Sequence, residues 1–143
     1  VSGPVVVDTS ALLAAAFAEP QRDAVLVALS EAAAVHTSAC CYLEGSIVAF
    51  ARLGAQGQAE FGLLLDAFGV EVVSLTPDLS VLAAEAWERW GKGRHPAGLN
   101  IIDCCSYALA AQSGKPLLAI GDDFARTDLE LAELPTLAQV QGS

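Results

Sequence analysis

Apolar residues along this chain fall alternately into short continuous runs and longer stretches with helical spacing. Pro4-Val5-Val6-Val7 is a β-branched run between turn residues, which predicts a short buried strand. Asp8-Thr9-Ser10 supplies caps for a helix over 10–18, and Pro20 restarts a helix over 21–33. Val35-His36-Thr37 predicts a second, short strand. Ser38 then caps a helix over 39–53 that Gly54 ends, and a further helix fits 56–68, ended by Gly69. Val70 to Leu75 predicts a strand, and Thr76-Pro77-Asp78 starts a helix running to residue 90. Residues 91–98, with three glycines and a proline, form a loop. Asn100 to Ser113 is helical up to Gly114, Leu117 to Ile120 is a buried strand, and Thr136 to Val140 is a last strand.

Strands alternating with helices imply an α/β fold in three layers, α/β/α, with a central parallel sheet of four to five strands. Right-handed crossovers bring every C-terminal strand end to one edge, where ligands of open α/β sheets bind. The 143 residues make one domain, spanning 1–143, and the sequence contains no repeat, linker or low-complexity tract.

Against this pattern, four acidic positions stand where apolar residues are expected. Asp8 closes the first strand run. Glu44 sits within Ala39-Cys40-Cys41-Tyr42-Leu43-Glu44-Gly45-Ser46-Ile47-Val48. Asp103 is the only charge between Leu99 and Ala111, and the pair Asp122-Asp123 follows the last buried run before it. Taken singly, each has an ordinary explanation: a cap, a helix edge pairing with Arg52, a dipole partner or a surface turn. Taken together they are harder to explain, because an unpaired buried carboxylate is costly and the chain has only seven Lys and Arg. A shared divalent cation is the simplest account. Oxygen-only ligands favour Mg²⁺, with Mn²⁺ as the substitute. Clustered carboxylates also predict at least one raised pKa.

Composition narrows the alternatives. The hydrophobic fraction is 54%, yet no apolar run reaches the roughly 18 residues of a membrane span. The beginning of the chain lacks a signal-peptide pattern, so a cytoplasmic location is expected; no Met opens it, so Val1 is either an unusual start or a processing remnant. Cys40-Cys41 and Cys104-Cys105 are vicinal pairs, not the C-x₂-C of a zinc site, and they sit in apolar helical stretches as small hydrophobes. A net charge of −10 argues against non-specific nucleic-acid binding but not against an enzyme that holds phosphate through metal ions. It also suits a basic protein partner. No dinucleotide fingerprint, P-loop, histidine zinc site or nucleophile elbow is present.

The order of these motifs resembles the PIN-domain ribonucleases, and specifically the VapC-type toxins of bacterial VapBC toxin–antitoxin pairs. The resemblance runs through Val5-Val6-Val7-Asp8-Thr9-Ser10-Ala11-Leu12, Ser38 to Glu44, Gly91 to Asp103, and Gly121-Asp122-Asp123-Phe124 with Thr127-Asp128-Leu129. It implies a PIN-like nuclease domain and Mg²⁺-dependent cleavage of RNA. Asp8, Glu44, Asp103 and Asp123 would be the metal-binding catalytic acids. The carboxylate just before Phe124 is the better match, with Asp122 as the alternative fourth ligand. Thr9, Ser10 and Asn100 would orient water or phosphate. Lys92, Arg94 and His95 would hold RNA phosphates. Arg126 would either contact RNA or pair with Asp122. The resemblance also implies a small VapB-type antitoxin, with a candidate surface in 21–68 around Ala24, Ala28, Phe50, Phe61 and Leu64, and a homodimer or a hetero-oligomer with that antitoxin. A phosphomonoesterase fits less well, because Asp8-Thr9-Ser10 lacks an Asp-x-Asp nucleophile pattern. A non-catalytic interaction module fits less well because the acidic set is intact.

Overall fold

The computed structural model describes residues 3–142; Val1, and with it the question of the native start, lies outside the described residues. Its sheet has four parallel strands: β1 (Val5–Val7), β2 (Val35–Ser38), β3 (Glu71–Val73) and β4 (Leu117–Leu118), in the spatial order β3-β2-β1-β4. The helices are α1 (Thr9–Ala16), α2 (Arg22–Glu31), α3 (Ala39–Ala67), α4 (Pro77–Trp90), α5 (Ile101–Ser113) and α6 (Leu137–Gln141). β1 lies inside the sheet, with Val5 paired to Val35 and Val7 paired to Leu118.

Period-2 alternation along β1 sorts the two helical layers. Val5 and Val7 pack with α1, α2 and α3, through Leu12, Leu29, Ala49 and Phe61. Val6 faces the other way, toward Leu79 and Ala83 of α4 and Cys104 and Ala108 of α5. β4 alternates in the same sense, Leu118 toward the first layer and Leu117 toward the second. This is the expected three-layer arrangement, with both faces of a parallel sheet covered.

The structure departs from expectation at the C-terminus. Thr136–Val140 is helical, not a strand. Thr136 and Gln139 form a reciprocal capping box that starts α6. The outer side of β4 is already occupied, since the Leu117 N–H donates to the Glu130 carbonyl at 3.0 Å and the Ala132 N–H to the Leu117 carbonyl at 2.9 Å. The two helices expected over 39–53 and 56–68 form α3, broken where expected, at Leu53 and at Gly54, whose φ is +61°. The expected strands over 70–75 and 117–120 are shorter than their apolar runs.

The break folds the two halves of α3 against each other through two glycines. A Cβ on Gly45 would stand 2.3 Å from the tip of the Phe61 ring, and one on Gly57 would stand 2.3 Å from the Ala49 carbonyl oxygen. Gly57 faces backbone, which has no rotamer with which to move aside. Gly57→Ala is therefore expected to destabilise the protein by about 1–3 kcal/mol, the usual range for overpacking. Gly62, in the same helix, has open space around it, and Gly62→Ala is expected to be neutral or stabilising by roughly 0.5–1 kcal/mol. Urea unfolding of the two variants checks the contrast; equal stabilities would contradict the close approach at Gly57.

Candidate active site

Because all four strands are parallel, their C-terminal ends share one edge, and the order β3-β2-β1-β4 places the switch point between β1 and β4. Asp8 follows β1 there, and Asp122-Asp123 lie a few residues beyond β4. Glu44 is in the second turn of α3, which leaves directly from β2. Asp103 is in the first turn of α5, which packs across β1 and β2. Four segments distant in sequence therefore deliver carboxylates to one end of the sheet.

Asp8 is 3% exposed. It caps α1 by accepting from the Ser10 N–H at 3.1 Å. The Ser10 hydroxyl donates to Asp8 Oδ2 at 2.7 Å and accepts from the Ile120 N–H at 3.0 Å, which ties the segment after β4 to the end of β1. Oδ1 accepts from the Ser106 hydroxyl of α5 at 2.6 Å. Asp103 and Asn100 form a capping box: the Asp103 N–H donates to Asn100 Oδ1 at 2.8 Å, and the Asn100 N–H donates to Asp103 Oδ2 at 3.0 Å. Glu44 is half-buried, and Asp122 and Asp123 are exposed just before a 3₁₀ turn over Phe124–Arg126.

Electrostatics joins these groups. Burial pushes the Asp103 carboxyl up to about 6, the Asn100 backbone bond opposes this, and the charges of Asp8, Asp123 and Glu44 add to the rise. The raised carboxyl expected of a clustered acidic site is thus Asp103. Among the described residues no Lys or Arg forms an ion pair with any of the four acids. Arg52 pairs with Glu19 at 3.5 Å, not with Glu44, and Arg89 pairs with Asp128 at 3.4 Å. Arg126 does not pair with Asp122; its guanidinium donates to the Pro96 carbonyl at 3.3 Å.

The donor set is all oxygen and, among the described residues, no Lys or Arg is ion-paired to it; this chemistry fits Mg²⁺ or Mn²⁺. Among the described residues, no three His, Cys, Asp or Glu side chains already stand in a metal-ligating arrangement. Asp8 and Asp103 have oxygens engaged by local hydrogen bonds, and mutual repulsion favours separation.

The other expected site residues divide. Ser10 and Asn100 touch the acids directly, as described. Thr9 is buried, and its hydroxyl points toward the Cys41 carbonyl at 3.5 Å, so it serves packing rather than substrate. Arg94 stacks over Trp87 and donates to the Glu88 carbonyl at 2.9 Å, and His95 accepts from the Ala97 N–H at 3.0 Å while meeting Trp90 edge-on. Both hold their loop closed. Lys92 is exposed. Within the expected antitoxin surface, Ala28 and Phe61 are core, whereas Phe50 is exposed.

Two residues not expected from the sequence join the site. Ser106 and Cys41 lie 3.0 Å apart, oxygen to sulfur, directly behind Asp8. Burial, with the nearby Asp8 charge, pushes the Cys41 thiol up to about 11 and keeps it protonated. Each stands three positions from an acid on its helix, Cys41 before Glu44 and Ser106 after Asp103, and that spacing was the available signal.

Residues 5–130 match the model of the PIN domain. The chain is 41% identical over 131 residues to ribonuclease VapC30 of Mycobacterium tuberculosis, covering 92% of this chain and 100% of that one. It is 42% identical over 125 residues to a ribonuclease VapC of Mycolicibacterium smegmatis, covering 87% and 97%. Among solved structures, Mycobacterium tuberculosis VapC20, a sarcin-ricin loop cleaving toxin, superposes with a TM-score of 0.77 at 21% identity, over 92% of this chain and 99% of that one. VapBC2 of Rickettsia felis, bound to a DNA fragment from its promoter, superposes with a TM-score of 0.73 at 13% identity, over 92% and 99%. A domain match across the site-bearing segments, with full-length relatives above 40% identity, establishes that this chain belongs to the PIN-domain family, among the VapC ribonucleases.

Proposed function

We propose that this protein is a divalent-metal-dependent endoribonuclease, a VapC-type toxin held in check by a small antitoxin protein. The observation that carries the reading is the Asp103 carboxyl, raised by burial and by three other carboxylate charges, in a site where, among the described residues, no Lys or Arg is ion-paired to the acids. That arrangement stores repulsion that a cation relieves. Asp8, Glu44, Asp103 and Asp123 would hold the ion, partly through its own water, as Mg²⁺ commonly is held. Asp123 is preferred to Asp122 because its charge is among those raising Asp103. A bound divalent ion supplies the positive charge that polarises a phosphodiester and acidifies an attacking water.

The chain's own residues do the positioning. Ser10 engages Oδ2 of Asp8 through both its N–H and its hydroxyl, and Ser106 engages Oδ1. The Asn100 N–H fixes Oδ2 of Asp103, while Oδ1 receives no hydrogen bond from the described residues. Below its raised pKa, Asp103 holds a proton that cation binding displaces. Lys92 is available to RNA phosphate. Exposed Phe50 and Leu53 of α3 offer apolar surface within the region proposed for the antitoxin.

Alanine substitution at Asp8, Glu44, Asp103 or Asp123 is expected to lower RNA cleavage by roughly 100-fold or more, the scale for losing one electrostatic group of a reaction centre. Asp122→Ala should retain most activity. Gel assays of an RNA substrate in Mg²⁺, with EDTA and a phosphomonoester control, read this out. Full cleavage by Asp103→Ala, or cleavage undiminished by EDTA, would sink the mechanism.

The raised Asp103 carboxyl also fixes the sign of a pH dependence. The folded state holds this proton more tightly than the unfolded chain, whose carboxyl titrates near 3.8. Its stabilising contribution is therefore complete below about pH 4 and is lost as pH rises through about 6. In metal-free buffer the stability of the wild type should fall across that window relative to Asp103→Asn, whose side chain can still accept from Asn100. Denaturant titrations of both proteins from pH 4 to 7 measure the difference, and parallel curves would refute the shift.

A further inference from the structure

Resting on the metal-dependent reading above, we propose that Ser106, backed by Cys41, is a positioning residue that aims the Asp8 carboxylate at the divalent ion. Ser106 is 0% exposed, so it touches neither solvent nor RNA. Its hydroxyl donates to Asp8 Oδ1 at 2.6 Å, the short distance of a charge-assisted bond. A hydroxyl has one proton, and a carboxylate offers only acceptors. With that proton committed to Asp8, the 3.0 Å contact between Ser106 Oγ and Cys41 Sγ has one direction: the thiol donates and the hydroxyl accepts. The thiol can also donate to Asp8 Oδ1, but at 3.8 Å this acceptor is farther than Ser106 Oγ. A directed chain therefore runs from Cys41 through Ser106 to Asp8.

This chain crosses three separate elements at one point. Cys41 belongs to α3, one turn before Glu44. Ser106 belongs to α5, one turn after Asp103. Asp8 ends β1. A single buried hydroxyl thus sets the orientation of one acid relative to the two helices that carry two others. On the opposite side, Ser10 holds Oδ2, so the carboxylate plane is fixed from both ends. Loss of Ser10 would also break the α1 cap and the Ile120 contact. Loss of Ser106 removes only an oxygen that faces Asp8 and a thiol.

The test is Mn²⁺ binding by calorimetry without RNA, beside melting curves in EDTA, for wild type, Ser106→Ala, Cys41→Ala and Cys41→Ser. Groups that orient a metal ligand typically change affinity about 10–100-fold when removed, so Ser106→Ala should weaken Mn²⁺ by about 10-fold or more. Cys41→Ala should weaken it by a smaller factor, and Cys41→Ser, which keeps a donor to Ser106, should restore affinity to within about two-fold of wild type. In cleavage assays the Ser106→Ala protein should need more Mg²⁺ for half-maximal rate and recover most of the wild-type rate at saturation. A lowered melting temperature with unchanged Mn²⁺ affinity would make Ser106 a packing residue and overturn the proposal. If Ser106→Ala does not fold, unchanged affinity in Cys41→Ala overturns it instead. A wild-type protein that binds no Mn²⁺ overturns this inference together with the metal-dependent reading, whereas wild-type binding matched by Ser106→Ala overturns this inference alone.

Discussion

Burial of β1 on both faces is the constraint on which the rest of the structure depends. Three consecutive valines, none more than 1% exposed, separate two helical layers that do not otherwise share a core at that point. Burying a valine is worth on the order of 1.5–3 kcal/mol, and the period of two divides that gain between the layers. The strand cannot slip by one residue without sending each side chain into the wrong layer. Asp8 is the next residue. Its 3% exposure follows from this place directly after the strand, where its N–H donates to the Leu118 carbonyl and its carboxylate meets Ser10 and Ser106.

Once Asp8 is fixed, the other acids follow from topology. β1 is the strand whose two neighbours, β2 and β4, come from different parts of the chain, so the crevice beyond it receives residues from both. Glu44 enters on α3 directly after β2, and the segment after β4 brings Asp123. Asp103 arrives at the start of α5, where the capping box with Asn100 fixes both the helix end and the carboxyl. The resulting repulsion runs against stability. The five arginines are engaged elsewhere, on Glu19, Asp128 and backbone carbonyls. Among the described residues, none of these arginines forms an ion pair with the four acids.

Much of this was legible in the sequence because acids interrupt apolar runs, and such interruptions can be seen without a fold. The four acidic positions, the strand before Asp8, the Gly54 break and the Asn100 helix start were all visible in that way. Features settled by competition between distant segments were not. Thr136–Val140 has strand-like residues, but the edge it would have joined is held by 130–132, and its own Thr-x-x-Gln pattern caps a helix. Arg94 and His95 read as phosphate-holding residues of a glycine-rich loop, yet Trp87 and Trp90 of the preceding helix pack against them. Cys41 reads as a small hydrophobe, and only the three-dimensional meeting of α3, α5 and β1 brings it and Ser106 to Asp8.

The broken α3 extends this logic to rigidity. Its first half carries Cys41 and Glu44 at the acidic edge, and its second half carries Phe61 and Leu65 into the core around β1. Gly45 lies one position after Glu44, and its missing side chain is the space that the Phe61 ring occupies. Any larger residue there would push the acid-bearing turn away from the core. Packing in a close-packed interior transmits such a shift with little attenuation. The placement of Glu44 is therefore set from behind by an aromatic ring seventeen positions on in the sequence, while Asp8 is set from behind by Ser106. At both acids the group behind the carboxylate is in the core: Phe61 is 1% exposed and Ser106 0%. The side chains that fix the geometry of this edge are thereby held out of water.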